Sequence, residues 1–164
     1  MGETTTGSGR TILIAVDESD ETTYALSWCL RNFVTHSDTL LLLHAKPLPS
    51  SYTAMDGTGY AFSADITATM ERYDIEVAGS LLAKAAKMCE DFGDEKQVKV
   101  ETKVEGGDAR DVICRVAEKL SPDVLVMGSH GYGLIKRTIL GSVSRYCAQH
   151  VQCPVLIIKR PKSA

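Results

Sequence analysis

The sequence has few of the features that mark membrane, disulfide-rich or nucleic-acid-binding proteins. Apolar runs such as Leu40–Leu43 are far shorter than the roughly 20 residues of a membrane-spanning helix. The formal net charge is only −3, so there is no positive excess to attract nucleic acid or anionic lipid. Residues 1–9 lack the apolar segment of a secretory signal. We therefore expect a cytoplasmic protein, with the nucleus as the alternative.

Cysteine use points away from a zinc site or a disulfide framework. The five cysteines are odd in number and include no CxxC pair, whereas such sites need paired and closely spaced cysteines. We expect reduced thiols that pack as small apolar groups. With 44 % apolar and 24 % charged residues among 164, the chain is typical of one globular domain. The predicted organisation is a flexible N-terminal tail over 1–9, one domain over 10–160 and a short tail over 161–164.

Five short apolar runs alternate with four segments of helical spacing. A continuous apolar run such as Thr11–Val16 is typical of a strand covered on both faces. In Val98–Val104 apolar and polar residues alternate, which predicts a strand with one face toward solvent or a strand near a sheet edge. Strands that alternate with helices predict an α/β fold, a five-stranded parallel sheet with helices on both faces. The predicted strands are 11–16, 39–45, 98–104, 123–127 and 154–159, and the predicted helices begin near 17, 65, 108 and 142.

The residues that follow the strands are the candidates for function, because ligands of open α/β sheets bind outside the carboxyl ends of the strands. Asp17 and Glu18 follow the first strand, and a segment with four glycines, Gly128–Ser144, follows the fourth. Glycine amides can approach an anion closely, and Gly141-Ser142 also opens the last helix, whose N-terminus favours phosphate. The segment predicts a phosphate-binding loop; the alternative is that its glycines only turn the chain.

Two well-known phosphate-binding motifs do not fit this segment. A Walker P-loop needs Lys and Ser or Thr directly after its last glycine, but Leu134 follows Gly133. The dinucleotide fingerprint GxGxxG would need a third glycine at the position that Lys136 occupies. Any nucleotide site here must therefore follow another pattern.

The glycine spacing resembles the signature of a known family. Gly128-x2-Gly131-x9-Gly141-Ser142 is similar to the nucleotide-binding signature of the universal stress protein family, in its ATP-binding branch. The resemblance covers essentially 10–159 and looks most like plant members. It implies a Rossmann-like fold of the adenine nucleotide alpha hydrolase-like type, with ATP, ADP or AMP as the ligand.

The resemblance also implies a role for each binding residue. Asp17 would accept hydrogen bonds from the ribose and help to hold Mg²⁺, the alternative being a helix N-cap. Ala15 and Val16 would line the base pocket, and the adenine would pair with backbone groups at Ala45. Met127 would pack against the adenosine, unless it is simply a buried strand residue. The other residues would surround the phosphates or donate to them: Gly128, Ser129, His130, Gly131, Gly141, Ser142, Val143 and Ser144.

Several further residues allow two interpretations. Lys136 and Arg137 would contact a terminal phosphate or remain solvated. His130, beside a glycine turn, is interpreted as a loop donor rather than a general base, and His44 as an interior or interface histidine. Residues 47–64 predict a loop, which is either a lid or a passive surface loop.

Three classes of function follow. The main hypothesis is an adenine-nucleotide-binding stress-response protein that acts as a nucleotide-dependent switch or a chaperone-like dimer. The alternative is a slow ATP hydrolase or phosphotransferase in the same pocket, although Asp17 is its one confident carboxylate and no second acid or P-loop lysine is evident. A third class, a thiol-regulated protein, would use Cys147 and Cys153, near which only Arg145 would lower a thiol pKa.

The final apolar strand predicts self-association. If 154–159 lies at a sheet edge, its unpaired backbone groups invite pairing with another chain. The family resemblance implies that such strands pair across a two-fold axis. We therefore expect a homodimer that depends on Val155 and Ile157, and no nucleic-acid or membrane partner.

Overall fold

The computed structural model describes residues 9–46, 48, 64–93, 96, 98–130 and 140–161. Most of both predicted tails and of loop 47–64 lies outside these residues, as do Gly131, Lys136 and Arg137. Nine elements follow one another: β1 Thr11–Ala15, α1 Asp20–Asn32, β2 Thr39–Lys46, α2 Ala64–Gly93, β3 Lys99–Gly106, α3 Ala109–Leu120, β4 Val124–Gly128, α4 Ser142–His150 and β5 Val155–Ile158.

The strands form one parallel sheet in the order β3-β2-β1-β4-β5. The chain builds outward from β1 through β2 to β3 and then crosses back to place β4 on the other side of β1. The strand order therefore reverses between β1 and β4, and the carboxyl ends of these two strands flank the crevice where doubly wound folds bind ligands. The predicted five-stranded parallel α/β fold is confirmed.

Alternate residues of the strands feed two core layers, because successive side chains of a strand point to opposite faces. Ile12 and Ile14 pack with α1 and α2 on one face of the sheet. Leu13 and Leu43 pack with α3 and α4 on the other face. These residues are almost completely buried, which explains why the central strands are continuously apolar.

The two edge strands differ in how they meet solvent. In β3 the polar residues Lys99, Glu101 and Thr102 are exposed, as predicted from the alternation in this segment. The backbone of β5 bonds to β4 through the carbonyls of Pro154 and Ile158, which accept from amides of β4 and of the residue after it. β5 is the last strand in the order of the sheet and so lies at its other edge, as predicted.

Local signals fix where the helices begin. Ser19, and not Asp17, is the N-cap of α1, since its hydroxyl accepts from the backbone N–H of Thr22 at 3.2 Å. The interpretation of Asp17 as the helix cap is therefore wrong. Asp108 caps α3, and the turn before it contains Gly107 with φ of 140°, a conformation that favours glycine.

A buried ion pair closes the amino end of the sheet. The carboxylate of Asp38 is 1 % exposed and lies 2.7 Å from the guanidinium of Arg10, which is 37 % exposed. The backbone N–H of Thr35 also donates to this carboxylate, at 2.8 Å. Burial alone would raise the pKa of Asp38, but the hydrogen bonds from Arg10 and Thr35 outweigh it and hold that pKa below its ordinary value.

Candidate functional site

A crevice opens at the carboxyl ends of β1, β2 and β4, against the first turns of α3 and α4. It encloses about 540 Å³, a volume that includes open solvent at its mouth. Its apolar wall belongs to the core layer beneath α3 and α4. Seven residues form this wall: Ala15, Leu43, Ala45, Ala109, Ile113, Met127 and Val143.

Asp17 stands at the rim of the crevice, two residues after β1. Its Oδ1 accepts a hydrogen bond from the backbone N–H of Ser19 at 2.8 Å and another from the hydroxyl of Thr22 at 2.7 Å. The hydroxyl of Ser19 donates to the same oxygen. These contacts fix the orientation of the carboxylate, so that it is presented at the rim in one defined position.

The first turn of α4 is tied firmly to the end of β4. The hydroxyl of Ser144 donates to the carbonyl of Gly128 at 2.8 Å and to that of Ser129 at 3.2 Å. The backbone N–H of Gly141 donates to the carbonyl of Ser129 at 2.6 Å. Ser144 is among the residues predicted to surround the phosphates or donate to them; its hydroxyl is used within the fold, which leaves its backbone N–H as the candidate donor.

The N-terminus of α4 has the character of an anion site. Its N-cap is Gly141, no side chain caps it and its first turn contains no acidic residue. The first N–H groups of a helix have no partner within the helix, and the helix dipole places partial positive charge there. Val143 and Ser144 of this turn line the crevice, which brings these donors to the ligand space.

Two histidines line the crevice and differ in their hydrogen bonding. His44 Nδ1 lies 2.9 Å from the carbonyl oxygen of Val16; since a carbonyl only accepts, Nδ1 carries the proton. The prediction of a satisfied interior histidine is confirmed. His130 Nδ1 is buried and finds no hydrogen-bond partner in the described structure. An unpaired buried polar atom is costly, and a ligand that donated to or accepted from this nitrogen would remove that cost.

Gly128 also has a packing role. A Cβ at this position would lie 3.2 Å from the carbonyl oxygen of Glu21 and 3.3 Å from its carbonyl carbon. The glycine therefore allows the end of β4 to pass close to the first turn of α1.

The structure brings most of the predicted site residues together. Of the four other predicted residues, Ser129 and Gly141 are buried, Ser142 is exposed at the start of α4, and Gly131 lies outside the described residues. Ala109 and Ile113 of α3 also line the crevice but were not predicted from the sequence. They are four positions apart, so they share one face of the helix that follows the Gly106-Gly107 turn, and this spacing could have identified them. The predicted residues that line the crevice are Ala15, Val16, Asp17, Ala45, Met127, Gly128, His130, Val143 and Ser144.

Within the described ranges, no three His, Cys, Asp or Glu side chains are grouped to hold a metal ion. Asp17 is the one carboxylate among the described lining residues. A Mg²⁺ ion here would need most of its oxygen ligands from a bound phosphate and from water, which is the usual arrangement for this ion. No helix in the described part of the chain is long and apolar enough to cross a membrane.

The fold and the crevice together define a doubly wound α/β domain with its ligand space at the topological switch point. The sequence pattern of the universal stress protein family matches residues 9–159, so the chain belongs to the universal stress protein family.

Curated relatives include plant proteins of this family. The chain is 29 % identical over 171 residues to the universal stress protein PHOS34 of Arabidopsis thaliana, covering 96 % of this chain and 64 % of that protein. It is 33 % identical over 142 residues to a universal stress protein A-like protein of the same plant, covering 83 % and 77 % of the two chains. The chain therefore spans slightly less than two thirds of the length of PHOS34.

Solved structures of the family share the fold. A universal stress protein family protein from Arabidopsis thaliana with AMP bound has a TM-score of 0.67 at 26 % identity, covering 94 % of each chain. The universal stress protein from Archaeoglobus fulgidus in complex with dAMP has a TM-score of 0.59 at 21 % identity, covering 93 % of this chain and 99 % of that one.

Proposed function

We propose that the protein binds an adenine nucleotide, ATP, ADP or AMP, in the crevice between β1 and β4. We further propose that it acts in stress responses as a nucleotide-dependent switch or a chaperone-like dimer. One observation carries the binding proposal. Four different groups face one crevice: the apolar wall, the carboxylate of Asp17, the N-terminus of α4, which has no side-chain cap, and His130, whose Nδ1 has no partner in the described structure. The AMP-bound structure of the Arabidopsis relative supports the choice of an adenine nucleotide.

The apolar wall suits a planar base. In this proposal the adenine lies against Met127 and Ile113, and its polar edge pairs with backbone groups at Ala45. A purine buried there would remove apolar surface from water at about 25 cal/mol per Å². Asp17, at the rim, would accept hydrogen bonds from the ribose hydroxyls.

The phosphates would lie at the start of α4. Backbone N–H groups of Ser142, Val143 and Ser144 would donate to their oxygens, and the helix dipole would favour the negative charge. His130 Nδ1, which is buried without a partner, would gain a hydrogen bond to a phosphate oxygen. If Mg²⁺ accompanies the nucleotide, Asp17 is its candidate protein ligand.

Binding is favoured over turnover. Efficient hydrolysis needs a positioned water and groups that stabilise the leaving phosphate. Asp17 is the one carboxylate among the described lining residues, and its Oδ1 already accepts three hydrogen bonds. ATP turnover of about 1 s⁻¹ or faster, abolished by Asp17→Asn, would instead establish the slow-hydrolase alternative as a true enzyme.

We also propose a homodimer through the outer edge of β5. The carbonyls of Pro154 and Ile158 point toward β4, and peptide groups alternate in direction along a strand. The N–H and C=O groups of Val155 and Ile157 therefore point away from β4. In the described part of the chain no strand pairs with this edge, which leaves it available to a second copy.

The test is to denature the purified protein, identify any released nucleotide by mass spectrometry, and titrate the nucleotide-free protein with ATP, ADP and AMP. Ala109→Leu places three more carbons in the crevice and is expected to weaken binding at least tenfold. Ala148→Leu makes the same change on the exposed side of α4 and is expected to bind normally. Equal affinity in the two variants, or no binding by the wild type, would contradict the proposal.

A further inference from the structure

Two thiols from different helices meet behind the crevice. Cys114 of α3 and Cys147 of α4 are 33 positions apart in the chain, yet their sulfurs lie 4.0 Å apart, with the thiol of Cys114 donating to the sulfur of Cys147. A disulfide needs a sulfur–sulfur distance of about 2.05 Å. The two sulfurs must therefore approach each other by about 2 Å for the bond to form.

The two thiols differ in access. Cys147 is completely buried, whereas Cys114 is half-buried and lines a groove at the opposite end of the sheet from the crevice. The groove lies between the ends of α3 and α4 and the starts of β4 and β5, and encloses about 1160 Å³, including open solvent. Cys153 lines the same groove. A small oxidant can therefore reach Cys114 but not Cys147.

From this arrangement we infer that Cys114 and Cys147 are a redox pair, which a peroxide entering through the groove oxidises to a disulfide that links α3 to α4. The inference does not depend on nucleotide binding. It also changes the expectation from sequence, which considered Cys147 with Cys153 and did not consider Cys114.

The chemistry is a two-step, two-electron oxidation. The Cys114 thiolate attacks one peroxide oxygen; an S–O bond forms, the O–O bond breaks, and hydroxide leaves and takes up a proton to become water. The Cys147 sulfur then attacks the sulfur of the resulting sulfenic acid and loses its thiol proton, while the S–O bond breaks and a second water leaves. The two sulfurs lose two electrons and hydrogen peroxide gains two.

Burial makes the pair slow to react. It raises the pKa of the Cys114 thiol, and it raises that of Cys147 to about 12. Since the thiolate is the nucleophile, the raised pKa lowers the thiolate fraction of Cys114 at neutral pH and slows its oxidation. The pair would then respond to sustained oxidant and not to brief exposure.

The test treats the reduced full-length protein with hydrogen peroxide at pH 8, blocks free thiols with an alkylating agent and measures the intact mass. The linked protein is expected to carry three alkyl groups and to lack two hydrogens, whereas protein treated with dithiothreitol before alkylation should carry five alkyl groups. After digestion with trypsin, the disulfide would hold peptide 111–115 to peptide 146–159. The second peptide contains both Cys147 and Cys153. The Cys153→Ser variant resolves this ambiguity, since it should still form the linked peptide, whereas Cys114→Ser and Cys147→Ser should not.

A stability measurement provides an independent readout. A disulfide across 33 positions restricts the unfolded chain, and the midpoint of urea unfolding should rise by about 1–2 M in the oxidised protein. The inference is overturned if oxidation joins Cys114 to Cys153, joins two chains, or adds oxygen to single cysteines without a link. An unchanged or lower midpoint of the linked protein would equally contradict a bond that fits the native spacing of α3 and α4.

Discussion

Replacing Asp17 with Asn tests whether the rim carboxylate binds the ribose. An asparagine keeps an oxygen that can accept from the backbone N–H of Ser19 and from the two hydroxyls that now bond to Oδ1. The substitution removes the charge and turns the second oxygen into a donor. The variant therefore keeps an acceptor for these three donors, unlike Asp17→Ala, which would leave them without one.

The expected loss follows from the charge of the acceptor. A hydrogen bond to an ionised group contributes about 1.5–3 kcal/mol, so Asp17→Asn should raise the Kd for ATP by about 10- to 150-fold at 25 °C. Isothermal titration calorimetry measures this change directly. Asp20→Asn is the matched control, because Asp20 begins α1 with a side chain that is 84 % exposed; its Kd should stay within about twofold of the wild type.

Deoxynucleotides show whether the lost contact is to the ribose. If Asp17 accepts from a ribose hydroxyl, then the ATP analogue that lacks this hydroxyl should show only a small additional loss in the Asp17→Asn variant, since the two changes remove the same interaction. Both 2′-deoxy and 3′-deoxy ATP should be titrated. The reasoning is refuted if the variant is folded and binds ATP normally, or if its loss is the same for ATP and both analogues.

Three further changes test other parts of the structure. His130→Ala should weaken ATP binding at least threefold by removing the unpartnered nitrogen from the crevice, while exposed His36→Ala should not; equal titration curves would exclude His130 from the site. Ile157→Pro removes an outward N–H of β5 and should convert a dimer to a monomer in light scattering at tens of micromolar, whereas a monomeric wild type would contradict the dimer itself. Arg10→Met should lower the free energy of unfolding by about 2 kcal/mol at pH 7, the size of a hydrogen bond to a charged group, since Arg10 is partly exposed. Because the folded-state pKa of Asp38 is depressed, the pair stabilises the fold above the ordinary carboxyl pKa, and the difference in urea unfolding should shrink below about pH 4; a difference that is constant with pH would contradict the ion pair.

The sheet and the position of its crevice were predictable from the sequence. Strands that are buried on both faces are apolar at every position, and this pattern is easy to recognise. Strands such as 39–46 and 124–128 are continuously apolar, and ligand sites of this fold class lie at strand ends. The resemblance then named the residues at those ends. The edge position of β3 was likewise predictable from the alternation of apolar and polar residues in 98–104.

Some features of the site could not be predicted, because they depend on how the helices are rotated about their axes and on which of several neighbouring groups forms a hydrogen bond. Both Asp17 and Ser19 are suitable N-cap residues for α1, and only the path of the backbone shows that Ser19 is the cap. The hydroxyl of Ser144 turns inward to Gly128. The contact between Cys114 and Cys147 depends on how α3 and α4 pack, and no local pattern encodes it.

The central claim is that an adenine nucleotide occupies the crevice between β1 and β4, and a crystal structure of the protein grown with ATP tests it most directly. We expect electron density for the base against Met127 near Ala45, for the ribose at Asp17 and for the phosphates at the N-terminus of α4. Density for the nucleotide elsewhere on the molecule, or a crevice without nucleotide at saturating concentration, would contradict the account.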